Sequence, residues 1–253
     1  MAVETVFDSA AQYAVACAVL AFAEAVYVLL GFGAGLIAVG TLALIMPELR
    51  DVVVMLLLVN LPAELFVVWK SRRIVAWRGV VTIFFGVAVG IPMGAWILGI
   101  GEPAALLTLL GVVLVVAGVV FLTTDRSADG RLPGWIKLPV GLVSGVLTGL
   151  FGTGGPPLIV YYRFSGVSKT VFRSNLMAIF LLMTAVRVPS YAAFGLITWP
   201  RIWSSFAVLP AVLLGALIGN RIHLRIGEAA FRRLVAVALV AIGLVLLSRQ
   251  FVE

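Results

Sequence analysis

Two glycine-rich stretches interrupt apolar runs that would otherwise read as membrane helix. They are Gly31-Phe32-Gly33-Ala34-Gly35 and Gly149-Leu150-Phe151-Gly152-Thr153-Gly154-Gly155-Pro156-Pro157. Glycine is costly inside a helix and proline more so. In lipid, a backbone group freed by such a break finds no water. Breaks of this kind therefore persist only where they are buried in protein or line a wet cavity. One break in each half of a chain is the pattern that marks the substrate site of a secondary transporter.

The remainder of the chain fits that reading. Of 253 residues, 63% are hydrophobic and only 11% charged, with a mean hydropathy of +1.20. Soluble domains carry about 25% charged residues. The apolar runs suit helices of roughly 20 residues, and no short alternating segments suggest a barrel. The expected class is an all-α polytopic membrane protein. The net charge of +7 does not indicate nucleic acid, because the basic residues sit in loops between apolar segments, where membrane topology and anionic headgroups place them. No Lys or Arg precedes Arg50, so no cleaved signal peptide is expected. The one cysteine, Cys17, reads as a packing residue, and the one histidine, His223, as a surface residue in a basic loop.

The apolar segments run over 9–46 (broken at Gly31–Gly35), 52–69, 77–99 and 103–122, then 138–162 (broken at Gly152–Pro157), 172–197, 202–220 and 229–248. The halves repeat. Gly33 corresponds to Gly152, Gly35 to Gly154, Trp69 to Tyr191, and Gly90-x-x-x-Gly94 to Gly215-x-x-x-Gly219. The GxxxG pairs read as close helix contacts. If each broken region crosses once, Lys and Arg divide evenly between the two sides. If each turns back on itself, fourteen fall inside and three outside, with Arg187 left within a membrane segment. The positive-inside rule selects the second arrangement. It implies two inverted repeats of about five segments, residues 1–122 and 138–253, joined by a cytoplasmic linker at 123–137. The second broken region, too short for two spans, is expected to form a re-entrant hairpin whose tip reaches the bilayer midplane. The first is expected to span twice or to form a longer hairpin.

A helix starting at Gly154-Gly155 would present free N–H groups and the positive end of its dipole, with Pro156 in the first turn, where its missing N–H costs nothing. Thr153 adds a hydroxyl. Gly152, Thr153, Gly154, Gly155 and Pro156 thus form a candidate anion cradle, with Gly33 and Gly35 as its weaker counterpart in the first half. A plain kink or a glycine-lined helix crossing is the structural alternative. Arg187 is an intramembrane charge that either completes an anion site or snorkels to the headgroups. Arg173 and Asn175 follow the second hairpin and are candidates to help gather an anion. Glu24 and Glu64 are intramembrane acids, candidates to pair with Arg187 or to take up a proton. No nucleophile–base pair, metal-ligand cluster or P-loop occurs, so no enzyme activity, cofactor or metal is expected.

The chain resembles the TauE/SafE sulfite exporter family, also known as the TSUP or 4-toluene sulfonate uptake permease family. The resemblance rests on Gly145–Leu158, on Lys169-Thr170-Val171-Phe172-Arg173-Ser174-Asn175 and on Tyr191-Ala192-Ala193-Phe194-Gly195, with Gly31–Gly35 as the weaker first copy. It implies a multi-pass carrier of the bacterial inner membrane that exports sulfite, sulfoacetate or other sulfonates. The residues themselves indicate an anion carrier and say nothing of sulfur. Expected partners are a small anionic substrate and the lipid bilayer, with protons as a candidate coupling ion and a second copy of the chain as a candidate partner in a homodimer. An anion channel, or a membrane protein binding a lipid-like ligand, is the alternative.

Overall fold

The computed structural model describes residues 5–30, 34–46, 48–71, 74–123, 132–222 and 228–249. These form ten α-helices and no strand. In order they are α1 (Ala10–Leu30), α2 (Ala34–Leu42), α3 (Leu49–Ser71), α4 (Trp77–Ile100), α5 (Pro103–Thr123), α6 (Lys137–Phe151), α7 (Gly155–Arg163), α8 (Lys169–Ala193), α9 (Trp199–Ile222) and α10 (Glu228–Arg249). A short 3-10 turn, Gly134–Ile136, leads into α6. Six of these helical stretches are long and apolar enough to cross a membrane: Ala10–Tyr27, Trp77–Ile100, Pro103–Thr123, Gly134–Phe151, Thr170–Ala193 and Trp199–Gly219. The chain is a multi-pass α-helical membrane protein. Trp77, Trp135 and Trp199, exposed at helix starts, suit interfacial anchors.

Both broken regions appear as a long helix followed by a short one. The nine residues of α2 and the nine of α7 each cover about 14 Å, half of a roughly 30 Å hydrocarbon core. Neither short helix spans. The Gly31–Gly33 part of the first break lies outside the described residues, as does His223. Cys17 is only half-buried in α1.

The helices group into two compact units, each drawing on both halves of the sequence. The first comprises residues 1–59, 101–123 and 197–253, and the second residues 60–100 and 124–196. In the first unit, α1 packs along α9 and α5 along α10, with α2 against α1 and α10. A Cβ on Gly219 would lie 2.7 Å from the carbonyl oxygen of Ala25, and one on Gly118 2.7 Å from that of Ala236. Arg201 Nε donates to Asp51 Oδ1 at 2.6 Å, tying the starts of α9 and α3 together.

In the second unit, α4 packs along α6 and also touches α8. Gly86, Gly90 and Gly94 of α4 face Gly141, Gly145 and Gly149 of α6, each at a spacing of four residues, so every turn of one helix meets a bare turn of the other. A Cβ on Gly90 would collide with the carbonyl of Leu142 and sit 2.8 Å from the amide nitrogen of Val146, and one on Gly145 would sit 2.8 Å from the carbonyl oxygen of Val87. The Gly90–Gly94 and Gly215–Gly219 pairs are therefore helix contacts, as their spacing implied. The contact is backbone on backbone, the arrangement that supplies packing energy where apolar burial gives no drive between helices.

Gly90→Ala should consequently lower thermal stability in detergent by about 1–3 kcal/mol, the usual cost of overpacking. Gly79, near the start of α4, has nothing within 4 Å of an added Cβ, so Gly79→Ala should leave the melting temperature unchanged or raise it.

Candidate functional site

The second break is built from the chemistry of its residues. Gly152 ends α6 in the left-handed conformation, φ 70° and ψ 11°, with its N–H donating to the Thr148 carbonyl at 2.9 Å. That conformation suits glycine. Gly154 then serves as N-cap and α7 begins at Gly155, with proline in the first turn. Gly154 is glycine for a steric reason: a Cβ there would collide with Thr148 Oγ1 and the Ser144 carbonyl of α6. At Gly155 a Cβ would make ordinary 3.7 Å contacts with Ile159 and Phe180. Packing requires the first two glycines and not the third.

Pro156 and Pro157 lack N–H groups, so the donors at this helix start are the amides of Thr153, Gly154 and Gly155. Among the described residues, none of the three amides donates a hydrogen bond. Thr153, Gly154, Gly155 and Pro156 are all buried.

Arg187 comes to the same place from α8. It is 4% exposed, so it does not snorkel to the surface. A Cβ on Gly152 would lie 3.1 Å from its Nη2 and 3.5 Å from Nη1, which places the guanidinium directly over the turn. Its Cζ lies 5.1 Å from the centre of the Tyr191 ring. Tyr191 Oη donates to the Gly149 carbonyl at 2.8 Å. One helical turn before Arg187, Thr184 Oγ1 donates to Glu64 Oε2 at 2.6 Å, and Glu64 is itself buried. Ser144 Oγ, fully buried on α6, makes no hydrogen bond. A positive charge thus lies over Gly152, the three amides follow directly in sequence, and Thr184, one helical turn before Arg187, holds the Glu64 carboxyl group. A cation and unbonded amides at a helix start are groups of the kind that can hold an oxyanion.

The structure brings together Gly152, Thr153, Gly154, Gly155, Pro156 and Arg187, with Glu64 nearby. Arg173 and Asn175 it does not bring there. Arg173 is exposed in the second turn of α8, fourteen residues and so about 21 Å along the helix from Arg187. Asn175 Oδ1 accepts the amide N–H of Ala76 at 2.8 Å, which secures the chain just before α4. Glu24 is buried on α1 in the first unit. Gly33 lies outside the described residues, and Gly35 is the second residue of α2. Sequence reasoning missed Tyr191 and Thr184 as members of the site. Their signal was their spacing: at four residues after and three before an intramembrane Arg, both share its helix face.

Gly152→Ala should cost about 1–2 kcal/mol, the penalty of a Cβ in the left-handed region. Thermal unfolding of the purified variant in detergent measures it. A loss below a few tenths would mean that the turn relaxes easily.

Comparison with known proteins agrees with this architecture. The family model for sulfite exporter TauE/SafE matches residues 16–246. The probable inner membrane transporter protein TsaS of Comamonas testosteroni is 28% identical over 191 residues, covering 75% of this chain and 80% of the relative. The probable sulfite/organosulfonate exporter TauE of Cupriavidus necator is 27% identical over 222 residues, covering 84% and 85%. No solved structure matches the chain.

Proposed function

The chain belongs to the sulfite exporter TauE/SafE family of membrane transporters, and from that premise we propose that it is a secondary transporter of the inner membrane that exports sulfite or small organosulfonates by alternating access. The observation that carries the reading is the buried Arg187 guanidinium over Gly152, the residue that precedes the buried Thr153, Gly154 and Gly155. A sulfite or sulfonate group offers three oxygens and a negative charge. The guanidinium matches two such oxygens at once. The amide groups and the Thr153 hydroxyl match the third without adding charge.

The repeat organisation proposed is 1–122 and 138–253 as inverted halves around a cytoplasmic linker at 123–137. Helix pairing supports it. If α1 to α5 correspond to α6 to α10, the α4–α6 contact has α9–α1 as its image, and α5–α10 maps onto itself. All three contacts are present, each lined with glycine. The site draws Glu64 from the first half and the turn and Arg187 from the second.

Glu64 is proposed as the proton-coupling group, with Glu24 as a second candidate. Both are buried acids, and a proton taken up with each anion would spare the site an added charge. In proteoliposomes, the wild type should show a pH-dependent rate of sulfite movement, and Glu64→Gln a flat one. Full pH dependence in that variant would remove Glu64 from the mechanism.

The carrier reading is tested with sulfite and sulfoacetate. The wild type should bind and exchange them with saturation and counterflow, behaviour an open channel lacks. Arg187→Gln should weaken binding at least about a hundredfold, the worth of a charge-assisted pair. Thr153→Val should weaken it about tenfold, the loss of one hydrogen bond. Gly155→Ala, which packing tolerates, should keep the fold and weaken binding if bare backbone is needed for close approach. Unchanged affinity in Arg187→Gln would refute the site.

A further inference from the structure

We propose that Tyr191 is a positioning residue of this site, one that fixes the direction in which the Arg187 guanidinium points. The proposal rests on the anion reading above and deepens it. Tyr191 is completely buried, and three separate contacts hold it. Its hydroxyl donates to the Gly149 carbonyl at 2.8 Å, with the Thr148 carbonyl at 3.4 Å. Its own carbonyl accepts the amide N–H of Leu196 at 2.9 Å, where Gly195 ends α8 with φ 66°. Its ring lies under Arg187, 5.1 Å from Cζ.

Each contact has a consequence for the arginine. Side chains on a helix lean toward its N-terminus, so a ring at position 191 reaches back over the turn that carries residue 187. The Gly149 carbonyl belongs to the last turn of α6, where carbonyls have no partner within the helix. The tyrosine hydroxyl supplies one, and in doing so locks the ring to the helix whose end forms the turn. The Arg187 guanidinium, its Cζ 5.1 Å from the ring centre, is drawn to that ring by a cation–π attraction. The long arginine side chain is thereby confined over Gly152 instead of sampling many rotamers. Tyr191 itself need not touch the substrate.

The test measures sulfite and sulfoacetate binding to the purified full chain by calorimetry, with the melting temperature of the unliganded protein as a check on folding. Tyr191→Phe keeps the ring and loses the tether, and should bind both anions about tenfold more weakly with little change in melting temperature. Tyr191→Leu also loses the ring and should fall about tenfold further. The discriminating measurement is the cycle with Arg187→Gln. If Tyr191 acts through the guanidinium, adding Tyr191→Phe to that background changes the residual binding by less than about twofold. A full additional loss there would make the tyrosine merely structural and overturn the proposal. Tyr191→Trp, which keeps a ring face and an N–H donor, should bind better than Tyr191→Leu, and equal losses in the two would also overturn it. If the wild type binds neither anion, the anion reading fails and the positioning role with it. If the wild type binds and Tyr191→Phe matches it, the positioning role fails alone.

Discussion

A guanidinium kept out of water inside a membrane protein has to be offset by groups that are already in place. At a helix centre in lipid the cost is roughly 2.5–3.5 kcal/mol on insertion scales. The Tyr191 ring and the end of α6 are among the groups that Arg187 meets. The Tyr191 ring offers a cation–π contact of about 0.5–2 kcal/mol. The C-terminal end of α6, closed by Gly152, presents the negative end of a helix dipole, worth about 0.3–2 kcal/mol to a cation. Together these approach the burial cost, so the charge is tolerable without a ligand.

Two helix ends meet at this turn with opposite polarity. The end of α6 favours the arginine, and the start of α7, three residues later, favours an anion. Gly152 makes the juxtaposition possible by reversing the chain within one left-handed residue, and Gly154 by letting α7 lie directly on α6. The prolines at 156 and 157 start the new helix at no cost in hydrogen bonding, and they confine the available amides to the residues before them. The hairpin is in turn held by the α4–α6 contact. Six glycines bring two backbones together along the length of α6, so the turn at its end has a fixed support.

Glu64 brings a second charge-bearing group close to the arginine. It sits on α3, in the first half of the sequence, and accepts a hydrogen bond from Thr184, the residue one turn before Arg187 on α8. A positive group and an acid on neighbouring helices allow the local charge to be adjusted by one proton.

Much of this was legible in the residues. Apolar runs of about 20 residues predicted the long helices, because a bilayer leaves the backbone no other partner than itself. The break at Gly152–Pro157 was readable for the same reason: glycine and proline have local conformational preferences that do not depend on distant parts of the chain. The GxxxG spacing announced close contacts, though not which helices would meet, nor that Gly141, Gly145 and Gly149 form the matching row. Tertiary structure alone decided the rest. It turned Arg187 inward onto Gly152, put Tyr191 beneath it and Thr184 on Glu64, and left Arg173 and Asn175 at the far end of α8. Spacing along a helix says which side chains share a face. What that face meets depends on how helices from both halves pack, and that is set by surface complementarity between segments more than a hundred residues apart, as Glu64 and Thr184 are.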